Sequence, residues 1–300
     1  GGKRKVLVTG GSGFLGSHVA DALTDAGHDV SIFDLSPSPY IRADQKMVIG
    51  DITDEAAVSQ AISGCDVVYH MAALADINEA MDKPSDTVRV NILGTLNVLE
   101  AARAAELTRV VLASSIYVYS SQGSFYRTSK QASELLLQDY NERFGLPYTI
   151  LRFGSLYGPR ANDTNTVHRL ISEALTKGHM EYRGTGEEVR EYIHVLDAAA
   201  GSADILAPEF EGEIIHLTGQ ERIRTGEMLE MIREISGGKV NFDTGNGSVA
   251  GHYVQTPYSF VPRLGKKLSR GTYIDLGLGL LECMNTISQE LNGEFGATEE

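Results

Sequence analysis

The strongest constraint on the fold is a glycine turn lying between a strand pattern and a helix pattern. Lys5-Val6-Leu7-Val8-Thr9 has the composition of a short buried strand. Gly10-Gly-Ser-Gly13-Phe14-Leu15-Gly16 follows, and an amphipathic helical pattern then runs from residue 17 to about 26, closed by Gly27. In this G-x-x-G-x-x-G spacing, Gly10 permits a tight strand-to-helix turn and Gly13 lets a pyrophosphate approach the backbone. Gly16 lets the helix pack close to the sheet, and the N–H groups at the helix start, around Phe14 and Leu15, are placed to hold phosphate. A bare glycine turn would be uninformative, but the strand before and the helix after are what the dinucleotide motif requires. A second strand pattern, Val30-Ser-Ile-Phe-Asp34, ends in an acid where a dinucleotide fold places the carboxylate that accepts from the adenosine ribose. Asp34 would repel a 2′-phosphate, and Arg42 is the nearest cation after it, which favours NAD over NADP.

Strand and helix patterns alternate through the first half, with strands expected at 5–9, 30–34, 46–49, 66–70, 109–114 and 148–152. This alternation predicts an α/β fold: a Rossmann-type, doubly wound parallel sheet covered on both faces, with ligand at the carboxyl ends of the strands. Helical patterns near 86–104 and 127–143 carry mixed faces, with Val90, Leu93, Asn97 and Ala101 on one helix and Ala132, Leu135, Leu136 and Tyr140 on the other. After about residue 154 the regularity breaks. Helical patterns near 164–177, 195–206 and 225–236 mix with short strands near 179–182 and 213–217. The expected organisation is a nucleotide-binding domain over 1–154, with later elements near 190–217 returning to it. Residues 155–300 would form mainly a smaller, interleaved substrate-binding domain.

Tyr126-Arg-Thr-Ser-Lys130 lies eleven residues beyond Ser115. A phenol titrates near pH ~10 and is a poor base at neutrality. At i and i+4 on a helix, Tyr126 and Lys130 share a face, so the lysine charge can stabilise the phenolate. Y-x-x-x-K alone occurs by chance on many helices, and its weight here comes from the glycine turn.

A net charge of −14 argues against nucleic-acid or anionic-membrane binding. An anionic substrate would have to be met by local cations, of which Lys130, Arg160, Arg190 and Arg263 are available. Cys65 and Cys283 do not suggest a disulfide framework, so a reducing cytoplasm is the default location. No segment approaches the ~18 consecutive apolar residues of a membrane span. The eight histidines and two cysteines show no metal-ligand spacing, so no metal is expected.

With both motifs in hand, the chain resembles the extended short-chain dehydrogenase/reductase family, in particular its NAD-dependent nucleotide-sugar epimerases and dehydratases, over roughly residues 5–235. The resemblance rests on many segments in the family's order. In Gly50-Asp51-Ile52-Thr53-Asp54 it places Asp51 at the adenine amino group, with Ile52 beside it. Tyr69-His70-Met71-Ala72-Ala73 resembles the strand end lying along the cofactor, and Val90-Asn91-Ile-Leu-Gly94-Thr95 resembles the helix signature in which Asn91 supports the site. Leu112-Ala-Ser114-Ser115-Ile-Tyr-Val-Tyr119 resembles the strand carrying the catalytic hydroxyl, which falls on Ser115. Leu151-Arg152-Phe153, Tyr157-Gly158-Pro159-Arg160 and Arg190-Glu-Tyr-Ile-His-Val-Leu-Asp197 follow. The resemblance implies that Arg190 holds a nucleotide diphosphate and that the helix pair builds a homodimer; the same faces would equally suit a core. Ser114 reads as structural or as a cofactor hydrogen bond, and His70 as a packed strand-end residue.

The implied reaction has Tyr126 remove the proton from a sugar C4 hydroxyl, with Ser115 on the reacting oxygen and Lys130 lowering the tyrosine pKa and binding the nicotinamide ribose. Four departures shape the reading. Ile116 and Tyr117 stand where dehydratases and decarboxylases carry an acid. The Ser115-to-Tyr126 link is short, and Ser155 replaces an asparagine that contacts the diphosphate. The tail around Pro257 to Arg263 differs from the common epimerase ending. The expectation is an NAD-dependent nucleotide-sugar 4-epimerase acting through a 4-keto sugar. The rivals are a keto-sugar reductase or dehydrogenase, a dehydratase or decarboxylase, and a non-catalytic NAD-binding scaffold.

Overall fold

The structure, a computed structural model, describes residues 2–120, 122–247, 252, 254 and 265–296. The chain starts with β1 (Lys5–Thr9), α1 (Phe14–Asp25), β2 (Asp29–Asp34), β3 (Gln45–Ile49), α2 (Glu55–Ile62) and β4 (Val67–His70). Two short helices, α3 (Ile77–Asp82) and α4 (Pro84–Thr87), lead through a π-helical turn at Val88–Leu93 into α5 (Gly94–Ala104). Then come β5 (Arg109–Ser115), a 3₁₀ turn at Ile116–Tyr119, α6 (Ser124–Phe144) and β6 (Tyr148–Phe153). The second half holds β7 (Ser155–Tyr157), α7 (Thr166–Lys177), β8 (His179–Tyr182), β9 (Val189–Arg190), β10 (Tyr192–His194) and α8 (Val195–Asp204). It ends with β11 (Ile214–Leu217), β12 (Ile223–Arg224), α9 (Thr225–Ile235), β13 (Asn241–Thr244), β14 (Lys266–Lys267) and α10 (Leu276–Gly296).

The chain forms two compact units: residues 1–153 with 198–217 and 257–268, and residues 154–197 with 218–256 and 269–300. The first contains an eight-stranded sheet in the order β14-β11-β6-β5-β4-β1-β2-β3. Every neighbouring pair in it is parallel. A parallel sheet needs cover on both faces, and its strands accordingly bury successive residues: Val6, Leu7 and Val8 on β1, Val67, Val68 and Tyr69 on β4. One face packs Leu7, Val68, Leu112 and Ile150 against Ile62, Leu99 and Leu137 of α2, α5 and α6. Each such side chain withdrawn from water contributes about 1.5–3 kcal/mol. The strand order reverses at β1, with β2 on one side and β4 on the other. That is the switch point whose carboxyl ends form a ligand crevice in this fold class.

The strands of the first half fall within a residue of their expected positions. The helical pattern near 86–104 is broken by the π-helical turn, where Asn91 sits. The second unit carries three two-stranded pairings, β7 with β10, β8 with β13 and β9 with β12. Its core gathers Leu170, Ile171, Met228, Leu229, Ile232 and Leu280 from α7, α9 and α10.

Candidate active site

At the switch point the glycine turn is held by close backbone approaches. Gly10 has φ +69, and a Cβ there would lie 2.7 Å from the Ala72 nitrogen just past β4. A Cβ on Gly16 would lie 2.1 Å from the Gly10 carbonyl oxygen, so only hydrogen fits and α1 starts hard against the turn. Gly13 is the extended N-cap of α1 and offers no side chain to it. The first-turn N–H groups at Phe14, Leu15 and Gly16 therefore suit an incoming phosphate. Asp34, at the end of β2, accepts from the Ser12 N–H at 3.0 Å, which ties the carboxylate to the same turn. These features fit a dinucleotide.

The remaining expected cofactor residues are placed as follows. Asp51 takes both the Thr53 N–H (2.9 Å) and the Thr53 hydroxyl (2.7 Å) on Oδ1, which holds its carboxyl below its ordinary pKa. Ile52 packs into the sheet core and its carbonyl accepts from Asn97 at 3.1 Å. The Ala72 N–H donates to Thr9 Oγ1 at 3.2 Å, and Ala73 follows in the same segment. Asn91 is buried; its Oδ1 accepts from the Leu74 N–H (2.8 Å) and its Nδ2 donates to the Leu74 carbonyl (3.2 Å) and Ser129 Oγ (3.0 Å). It thus ties the segment after β4 to α6.

His70 is fixed as a structural group. Thr95 donates to the Asn91 carbonyl at 2.6 Å, so its oxygen accepts the Nε2–H of His70 at 3.0 Å, and Thr9 then donates to His70 Nδ1 at 2.7 Å. Complete burial pushes its pKa down to about 3, so it stays neutral.

The residues expected to transfer the proton converge at the top of β5 and the start of α6. The eleven-residue link is long enough: it brings the Tyr126 phenol to the Ser115 hydroxyl, which favours the ionised form of the phenol. Ser115 Oγ also accepts the Tyr117 N–H at 3.2 Å, as the N-cap of the 3₁₀ turn, leaving its own proton to be given to a phenolate. Burial pushes the Tyr126 pKa up to about 12, and the Ser115 bond pulls the other way. Lys130 is buried and donates to the Ala113 carbonyl at 3.0 Å, 5.7 Å from the centre of the Tyr126 ring. Burial pushes its pKa down to about 8, with Glu134 opposing. Tyr117 packs edge-to-face against Tyr126 with ring centres 6.3 Å apart, and Ile116 is buried.

Residues 6–217 match the sequence pattern of the NAD dependent epimerase/dehydratase family. The chain belongs to that family. The family's cofactor is NAD, and the glycine turn with Asp34 is where this member would hold it. An uncharacterized UDP-glucose epimerase, YtcB, of Bacillus subtilis is 29% identical over 262 residues, covering 78% of this chain and 83% of that protein. A UDP-N-acetyl-alpha-D-glucosaminuronate decarboxylase of Bacillus cytotoxicus is also 29% identical, covering 78% of this chain and 81% of that protein. The crystal structure of UDP-glucuronic acid 4-epimerase from Bacillus cereus, in complex with UDP-glucuronic acid and NAD, superposes with a TM-score of 0.83 at 26% identity. It covers 95% of this chain and 99% of that one.

Three expected substrate residues lie in the second unit. Ser155 is in β7, where its N–H donates to the Glu191 carbonyl at 3.0 Å. Arg160 follows the Tyr157-Gly158-Pro159 turn with φ +71 and lines a pocket with His168, Thr286 and Glu290. Arg190 is buried in β9 and donates to the Val189 carbonyl at 3.1 Å. Arg263 lies outside the described residues. Among the described residues no cluster of metal-ligating side chains occurs, and no helix is long and apolar enough to cross a membrane.

Sequence reasoning missed Glu134. It is buried, accepts from Ser114 Oγ at 2.6 Å and is gripped by Arg152 at 3.2 Å (Nε) and 2.6 Å (Nη2). The available signal was spacing: Tyr126, Lys130 and Glu134 recur every four residues, one stripe of a helix.

Proposed function

We propose that this protein is an NAD-dependent nucleotide-sugar 4-epimerase that inverts C4 through a transient 4-keto sugar. The observation carrying the reading is the pairing of Ser115 with Tyr126, with Lys130 one turn along α6 and Ile116 and Tyr117 where an elimination acid would stand. The relatives' names support nucleotide-sugar chemistry and include both epimerases and a decarboxylase. Bound NAD supplies the acceptor for the C4 hydride and returns it. In its phenolate form, Tyr126 accepts the C4 hydroxyl proton as the carbonyl forms, becoming the phenol, and gives that proton back when the alcohol is restored on the other face. Ser115 donates to the phenolate, and the Tyr117 N–H polarises Ser115, so the charge left on Tyr126 is met by a chain of two donors. Lys130 brings a positive charge to the same end of α6. Arg160, Arg190 and Ser155 are assigned to the nucleotide diphosphate, for which Arg forks are suited. A homodimer through the π-helical turn before α5 and through α6 belongs to the same reading, because Leu93 and Leu135 expose half or more of their surfaces there.

The purified protein should invert C4 in at least one of UDP-glucose, UDP-glucuronic acid and their N-acetylated or dTDP counterparts, with no NAD added. Tyr126→Phe should lower kcat by about 10³ while NAD still binds, the size expected for removing a positioned acid–base group. Net consumption of NADH would make the protein a reductase, and release of CO₂ or loss of water without inversion would make it a decarboxylase or dehydratase. Either result sinks the epimerase reading.

A further inference from the structure

Three successive residues of β5 meet three residues of α6 spaced four apart. Ser115 meets Tyr126, the Ala113 carbonyl accepts from Lys130 at 3.0 Å, and the Ser114 hydroxyl donates to Glu134 at 2.6 Å. Tyr126 and Lys130 have parts in the proposed proton transfer, whereas Glu134 as yet has none. Arg152 stands opposite Ser114 in the β5–β6 register and covers both Glu134 oxygens. Its third nitrogen donates to the Tyr119 hydroxyl at 2.7 Å, and that hydroxyl lies 2.8 Å from His216 Nε2. Arg152 is wholly buried and Glu134 nearly so. A buried ion pair of this kind adds little net stability over an apolar pair of the same volume. Its place beside a working lysine gives it a different use.

Among the described residues, the groups facing Lys130 are few. Tyr126 and Glu134 come from its own helix, His70 from β4, the Ala113 carbonyl from β5, and Arg152 of β6 stands behind Glu134. His70 is neutral, so the Glu134 carboxylate is the anion that opposes the loss of the lysine proton on burial. We infer that Glu134, clamped by Arg152 and Ser114, is a positioning residue that keeps Lys130 cationic at its seat on the Ala113 carbonyl, 5.7 Å from the Tyr126 ring. Arg152 and Ser114 fix the carboxylate in one orientation, so the field at Lys130 does not depend on a mobile counter-ion. The kinetic consequence rests on the epimerase reading, but the charge of Lys130 does not.

The test titrates Lys130 directly in the full chain, using lysine labelled with ¹³C at the ε-carbon and Lys130→Arg to assign its signal. Glu134→Gln should lower the Lys130 midpoint by about one pH unit, the least that loss of an adjacent opposite charge produces, and Glu134→Asp should restore most of it. Glu134→Gln leaves Arg152 buried without its counter-charge, so Glu134→Gln/Arg152→Met provides a second reading with neither charge present. The lysine midpoint should stay low in this double variant while its melting temperature returns toward that of the parent. In the turnover assay the alkaline limb of kcat should move with the lysine midpoint and KM should change less than about threefold, a split typical of a group that acts on chemistry and not on binding. An unchanged Lys130 midpoint in both the single and the double variant would overturn the inference. Absence of turnover in the parent protein would sink the epimerase reading alone, since the lysine titration needs no substrate.

Discussion

Burial of the Lys130 ammonium couples the proposed chemistry to the stability of the fold. The fall in its pKa from 10.5 to about 8 corresponds to about 3 kcal/mol of cost for keeping it charged inside the folded chain. Because the folded state holds this proton less tightly than the unfolded one, stability rises with pH between about 8 and 10.5. Lys130→Met removes that cost but leaves the Ala113 carbonyl without its donor, a loss of about 1 kcal/mol. The variant should therefore be more stable than the parent at pH 7 by about 2 kcal/mol and catalytically dead. Its advantage should shrink above pH 8 and reverse by pH 10.5, where the lysine is neutral in both states. Denaturant melts at a series of pH values check this, and an advantage that stays constant across the range would contradict the assignment of Lys130 as a buried cation.

At the scale of elements, the sharpest constraint is the meeting of β1, the glycine turn and α1. A methyl on Gly16 would have to sit 2.1 Å from the Gly10 carbonyl, far inside van der Waals contact, so the helix start must move. The N–H groups that suit a pyrophosphate move with it. Gly16→Ala is expected to weaken NAD binding by at least about 100-fold, roughly the 3 kcal/mol of two or more misplaced charge-assisted hydrogen bonds. Calorimetric titration with NAD measures it, and retention of parental affinity would show that this turn does not hold the cofactor. The same turn shows why so much of the fold was legible in the sequence. Glycine spacing, strand composition and Asp34 are local signals, and the sheet order follows from them once the alternation is seen. The π-helical turn at Val88–Leu93 was not legible, because Val88-Arg-Val-Asn-Ile-Leu93 contains no breaker and keeps helical periodicity through it. Its cause is non-local: the Asn91 carbonyl accepts from the hydroxyls of both Thr95 and Ser133, the second from α6. Glu134 was hidden for a related reason. A charged residue among leucines on an amphipathic helix looks solvent-facing until Arg152, from a strand that follows α6, is found opposite it.

For the whole molecule, the exposed apolar side chains of the π-helical turn and α6 carry the proposal of a homodimer. Val88, Leu93, Leu135 and Phe144 are 44%, 50%, 59% and 46% exposed, whereas the opposite sides of the same helices are buried in the sheet core through Leu99, Leu137 and Tyr140. In sequence the helix faces admitted either a core or an interface, and the fold divides them: Leu136 and Val90 pack partly against the core, while Leu93 and Leu135 point outward. Withdrawing outward leucines from water contributes up to about 1.5–3 kcal/mol each, and four such side chains per subunit can offset the entropy of association. The protein is accordingly expected to sediment at twice its 32.5 kDa chain mass at micromolar concentration. Leu135→Asp places a charge where a partner leucine would pack, without touching Ser115, Tyr126 or Lys130, and should shift the sedimentation to a single chain. A parent protein that sediments as one chain at about 10 µM, a concentration at which even a micromolar complex would form, removes the dimer from the reading and leaves this face to some other contact.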